Sequence, residues 1–415
     1  MEVQPQPSLW ESLGNWLGEH VPLIPDAWAP TIGAVLGCLF MLLLFVMPLV
    51  TYMIWWLRKW LGWLQSRLGP KHVGPHGLLQ TPADAVKLMA KEDIIPLLAD
   101  RIIFTLAPGL VFLAAFLAWA TVPLGPGLVV KDLNVGLLYI GAVTSVTVVG
   151  IVLAAWSSNN KYALVSAFRS AAQMVSYEVP LLLALMVPVL MAQSLSLGRI
   201  IEEQIRHGWF FLYQPLLFFA FFTAAMAENN VTPFDLAEAE SEIVAGFHVE
   251  YSGMKFALFF LAEFANTALV AALAAILFFG GWHSPLDPLL KPETWPGPRL
   301  GTGPESVGLL HLVWGAGWFT FKMCAAITLI FHLRGTLPRT RIDQLMEMGW
   351  KVLIPFTLIN LALVGAQIAF NLPRVTLAIV NWGLFVALIA LGRRKPLPTI
   401  QRHRVPAREG ALPQG

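Results

Sequence analysis

Long apolar runs alternate with short polar stretches along almost the whole chain. A helix needs about 20 apolar residues to cross the hydrocarbon core of a bilayer. Nine runs meet that measure: 32–57, 102–122, 135–156, 174–193, 210–227, 254–280, 311–333, 349–370 and 374–391. The pattern predicts an all-α polytopic membrane protein with about nine transmembrane helices. The fourth and ninth runs carry the weakest signal, the fourth because it opens on Glu178 and Pro180. Segment 58–101 is too polar to span. Within it, residues 82–95 set Ala85, Leu88, Met89 and Glu92 at helical spacing, which predicts a short amphipathic helix at the interface. The organisation is then an N-terminal segment (1–31), a helical membrane domain (32–391) and a basic tail (392–415) that is disordered or lies on anionic lipid.

Composition agrees. The chain is 57% hydrophobic and 13% charged, with mean hydropathy +0.66, values that exclude an ordinary soluble domain. Both cysteines, Cys38 and Cys324, fall inside apolar runs. With no C-x-x-C and no Cys/His cluster, neither an iron–sulfur cluster nor any other metal site is expected. No G-x-G-x-x-G follows a strand pattern, so no dinucleotide fold is expected; no nucleic-acid partner is expected either. Residues 1–30 lack Lys and Arg, which argues against a signal peptide with a basic n-region.

Charge sets the orientation. Of the 27 Lys and Arg residues, eighteen fall in the odd-numbered loops and the tail, and six on the opposite side. The bias predicts an outside N-terminus and a cytoplasmic C-terminus. Segment 227–253 therefore faces the cytoplasm, yet it holds six carboxylates and no Lys or Arg. Thr232-Pro233-Phe234-Asp235 reads as a helix start, with Thr232 as N-cap and Pro233 first. A helix from Pro233 would put Asp235, Glu238 and Glu242 on one face and turn Glu240 away. So many close carboxylates cannot all ionise cheaply. That suits proton relay or docking of a basic partner, the plain alternative being a solvated acidic surface.

Inside or at the edges of the runs lie Glu178, Glu228, Glu263 and Lys322. Ionisable groups there are costly and are functional candidates by default. The structural alternative is a Glu263–Lys322 pair that holds helices together. The Gly/Pro-rich segment 67–93 predicts an ordered platform whose His72 and His76 are loop histidines rather than metal ligands. Arg334, Arg339 and Arg341 either anchor the seventh run or meet carboxylates of the acidic segment or of a partner.

Four blocks carry a resemblance: RLGPKHVGPHGLLQTPAD, NNKYAL with RSAAQMVSYE, AENNVTPFDLAEAESEIVAGFHVEYSGMKFALFFLAE, and LPRTRIDQLMEMGWK. Over about residues 32–370 the chain resembles the H-subunit family of bacterial NADH–quinone oxidoreductase (respiratory complex I), counterpart of mitochondrial subunit 1. The resemblance implies an eight-helix family core plus one C-terminal span, in the bacterial inner membrane. It implies a component of a translocase that binds no NADH, flavin, metal or iron–sulfur cluster, and whose substrate is quinone. Such a component walls the quinone chamber, docks peripheral-arm quinone-site and iron–sulfur subunits, and adjoins antiporter-like and small membrane subunits, surrounded by lipid. Residue by residue, it implies a chamber and coupling loop of Thr232, Phe234, Asp235, Glu238, Glu240, Glu242, His248, Glu250 and Tyr251, with Arg58 near the quinone mouth. It implies a proton-coupling path of Asp93, Glu178, Glu228 and Glu263, with Lys322 as matching cation, and docking by Arg334, Arg339 and Arg341. The chain departs from the family where Leu57 precedes Arg58, at Lys71-His72, and at Ala237. Rival readings are the membrane subunit of an energy-converting hydrogenase and a stand-alone secondary transporter. The absence of an internal repeat argues against the transporter.

Overall fold

The computed structural model describes residues 10, 13–14, 29–236, 246–287, 299–300 and 307–392. Among them seven helices are long and apolar enough to cross a membrane. They are α1 (Pro30–Leu64), α3 (Arg101–Thr121, its last turn 3-10), α4 (Gly136–Ser157), α5 (Lys161–Ala192), α9 (Gly253–Phe279), α10 (Leu309–Thr336) and α11 (Ile342–Ala369). The others are α2 (Gln80–Ala90), α6 (Leu197–His207), α7 (Phe210–Tyr213), α8 (Pro215–Glu228) and α12 (Arg374–Gly392). The strands described are β1 (Arg299–Leu300) and β2 (Val307–Gly308), a minimal antiparallel pair.

Proline explains two irregularities. The π-helical turn Met41–Val46 runs into Pro48, and the π-helical turn Met348–Leu353 runs into Pro355. Each proline lacks the N–H that would bond four residues back, and its ring clashes with that carbonyl. The wider turn takes up the mismatch.

Several sequence expectations are corrected. The polar loop after the first run begins later than residue 58, because α1 continues to Leu64. The amphipathic helix ends at Ala90, so Glu92 is not on it, and Val86 and Met89 lie exposed. The fourth span starts not at 174 but at Lys161, capped by the Asn160 side chain, which accepts from the Tyr162 N–H at 2.9 Å. Hydropathy hid this first half because Lys161 and Arg169 lie in it. The fifth span is broken at Gln214, since Pro215 cannot donate backward.

α9 is the most deeply buried of the seven long helices. Ala257, Ala265, Ala268, Ala271, Ala272 and Ala275 are buried along it, and small side chains let neighbouring helices approach closely. α3 and α10 pack closely against it, α1, α2, α6, α7 and α8 also contact it, and α5 touches it more lightly. This central helix carries the candidate site in the middle of its length, at Glu263 and Asn266.

Candidate functional site

Three helices each contribute one glutamate: Glu178 on α5, Glu228 as the last residue of α8, and Glu263 on α9. They meet around two adjoining cavities. One, of about 60 Å³, is lined by Glu228, Glu263, His248 and Asn230, with Thr147, Asn229 and Asn266, inside a wall of Phe247, Phe256, Phe259 and Phe260. The other, of about 40 Å³, is lined by Glu178, Glu228 and Thr144, again with Thr147, Asn229 and Asn266. Glu228 borders both, so the three carboxylates form a row. The Ser145 hydroxyl donates to Glu178 Oε1. The charge of Glu178 acts on Glu228, and those of Arg334 and Asp235 act on Glu263.

The start of the acidic loop is pinned from two directions. Gln173, 1% exposed on α5, donates Nε2 to the carbonyls of Ala227 and Phe234, each at 2.7 Å. Thr340 donates its N–H at 3.1 Å and its hydroxyl at 3.2 Å to the carbonyl of Pro233. These bonds explain a further correction. Residues 232–236 form turns rather than the first turn of a helix, with a cis peptide at Thr232–Pro233. The carbonyls that would start the helix are engaged by other segments. Asp235 is therefore not on a helix from Pro233, and Glu238, Glu240 and Glu242 lie outside the described residues.

The far end of the loop is aromatic. Tyr251 stacks on Phe104 with ring centroids 4.0 Å apart and planes 4° from parallel. Its hydroxyl lies 3.3 Å from Ser157 Oγ and donates to the Ala154 carbonyl at 3.2 Å. Burial pushes that phenol up to about 12, against the opposing bond from Ser157. His248, edge-on to Phe247 and Phe256, is pushed by burial down to about 4 and is neutral at physiological pH. Glu250 accepts from Asn160 Nδ2 at 2.7 Å.

Other predicted residues sit elsewhere. Asp93 pairs with Lys255 at 2.9 Å, half-exposed and away from the cavities. Arg58 pairs with Asp84 at 2.7 Å, tying α1 to α2. Arg339 and Arg341 are exposed, but Thr340 between them joins their segment to the acidic loop. The Glu263–Lys322 pair is not formed. Lys322 Nζ instead donates to the carbonyls of Phe279 (2.6 Å), Gly281 (2.9 Å) and His283 (2.5 Å), over the Trp209 ring. Glu263 and Phe279 are sixteen residues apart on α9, about 24 Å at helical rise, so one ammonium cannot serve both. Sequence reasoning passed over Gln173, Thr147 and Asn266; the first lay in a quoted block, and the other two carry no charge to flag them. Among the described residues no three His, Cys, Asp or Glu gather as a metal site.

Membrane-length helices around a buried row of carboxylates define a polytopic membrane protein that keeps ionisable groups in its interior. A family described as NADH dehydrogenase matches residues 37–365, and the chain belongs to that family. It is similar to the H subunit of NADH-quinone oxidoreductase from Dehalococcoides mccartyi (strain CBDB1), 48% identical over 324 residues, 78% of this chain and 84% of the relative. The protein of the same name from Rhodospirillum centenum is 46% identical over 324 residues, covering 78% and 90%. The one from Anoxybacillus flavithermus is 48% identical over 321 residues, covering 77% and 90%.

Proposed function

We propose that this chain is the multi-pass inner-membrane subunit of a proton-pumping NADH:quinone oxidoreductase. It walls the quinone chamber, docks the peripheral arm and couples quinone reduction to proton movement. The observation that carries this reading is the row Glu178–Glu228–Glu263 around two adjoining cavities, which begins beside a loop fastened by Gln173 and Thr340. A change of charge in the chamber reaches Glu263 first through Asp235, and then the rest of the row. Thr232, Phe234, Asp235, Glu238, Glu240, Glu242, His248, Glu250 and Tyr251 border the chamber, with Arg58 at its mouth. Neutral His248 and Tyr251 offer hydrogen bonds there without a fixed charge. Arg334, Arg339 and Arg341 face the docked arm on the cytoplasmic side. Segment 1–31 is periplasmic and the tail from 392 cytoplasmic.

Exchange of Glu228 for Gln in the assembled complex tests this. It removes the carboxylate common to both cavities at little change in shape. Quinone-linked NADH oxidation is expected to fall by a factor of about one hundred, the lower range for losing a proton-transfer group. Oxidation of NADH by a water-soluble acceptor stays unchanged. Wild-type quinone reduction with full proton translocation would overturn the reading.

A further inference from the structure

The boundary between the two cavities is built from more than Glu228. Thr147 on α4 and Asn266 on α9 line both cavities, and they are only 4% and 9% exposed. Thr147 Oγ1 and Asn266 Oδ1 have no hydrogen-bond partner among the described residues. Hydroxyls in the neighbouring turns behave differently. Thr144 donates to the Ile140 carbonyl and Thr267 to the Glu263 carbonyl. A threonine inside a membrane helix has that local bond at hand, and Thr147 leaves it unused. Buried polar atoms are expected to be paired, and a water needs only about 10–15 Å³ of such volume together with several polar partners. The two cavities, of about 60 and 40 Å³, supply both conditions.

We propose that Thr147 and Asn266 seat water between Glu228 and its neighbours Glu178 and Glu263, as positioning residues of the proton path. This rests on the proton-coupling reading given above. In each step the O–H bond of a carboxylic acid breaks toward the water oxygen. One O–H bond of that water breaks in turn, and its proton forms the new bond on the next carboxylate. The water is regenerated and no electrons move. The Thr147 hydroxyl and the Asn266 amide hold the water in line without titrating, so only the carboxylates and the relaying water gain and lose protons.

The test uses the assembled complex in native membranes, with Thr147→Val, Asn266→Leu, Thr147→Ser and Glu228→Gln compared. Thr147→Val and Asn266→Leu are expected to lower coupled quinone reduction about tenfold, the equivalent of one lost hydrogen bond. They are also expected to enlarge its solvent-deuterium isotope effect, while NADH oxidation by a water-soluble acceptor stays at wild-type level. Thr147→Ser restores both rate and isotope effect. A slower rate with an unaltered isotope effect and no rescue by Ser would mark a packing role and overturn the inference. Should valine prevent assembly, Thr147→Ala removes the hydroxyl without adding bulk, and a wild-type isotope effect in it would overturn the inference equally. If Glu228→Gln is impaired while Thr147→Val and Asn266→Leu are not, the seated water alone is wrong. If Glu228→Gln is also silent, the proton-coupling reading fails with it.

Discussion

The two halves of α9 hold charge in opposite ways. Near its C-terminus, Lys322 is caged: three carbonyls take its three protons, and the Trp209 ring lies 5.0 Å from the ammonium. Beside this cage His283 Nδ1 pairs with Asp287 at 2.7 Å. In its N-terminal half, Glu263 borders a cavity that it shares with Glu228, His248 and Asn266. A charge whose every bond is made by fixed backbone has nowhere to send its proton. A charge beside a polar cavity does. Location in a membrane helix marks both as expensive, but only the surroundings separate a structural ion from a working one.

The contrast predicts unequal damage. Lys322→Met strips three backbone carbonyls of their donor, and each orphaned group costs about 1–3 kcal/mol. The assembled complex is therefore expected to lose thermal stability markedly, read as a lower unfolding midpoint. An unshifted midpoint would mean that the cage is dispensable. A smaller effect is expected from His248. Its folded pKa of about 4 lies below the ordinary 6.5, so the opened loop takes up a proton before the packed loop does. The packing contribution is complete above pH 6.5 and is lost as pH falls toward 4, by up to about 3 kcal/mol. Amide exchange at residues 246–252, corrected for its intrinsic pH dependence, should rise through that window. His248→Phe should flatten the rise, and a persistent rise would place the acid sensitivity in another group.

Hydropathy made the membrane architecture legible because desolvation of apolar runs dominates every other term here. It failed where local chemistry competes. Lys161 and Arg169 masked the first half of α5, and Pro215 broke what looked like one fifth run. The turn at Thr232–Pro233 had every residue of a helix start, and only the distant Gln173 and Thr340 bonds account for its different path. Glu178, Glu228 and Glu263 stood out by charge alone, yet their common cavities depend on how three helices pack. Lys322 was equally visible, and its partners were invisible because backbone carbonyls leave no mark in a sequence.

Glu178 is the member of the row farthest from the acidic loop along the two cavities, and its exchange for Gln tests the central claim most directly. Protons translocated per NADH oxidised should be measured in the assembled Glu178→Gln complex reconstituted in vesicles. The ratio is expected to fall well below wild type while the unfolding midpoint holds. A wild-type ratio would contradict the account.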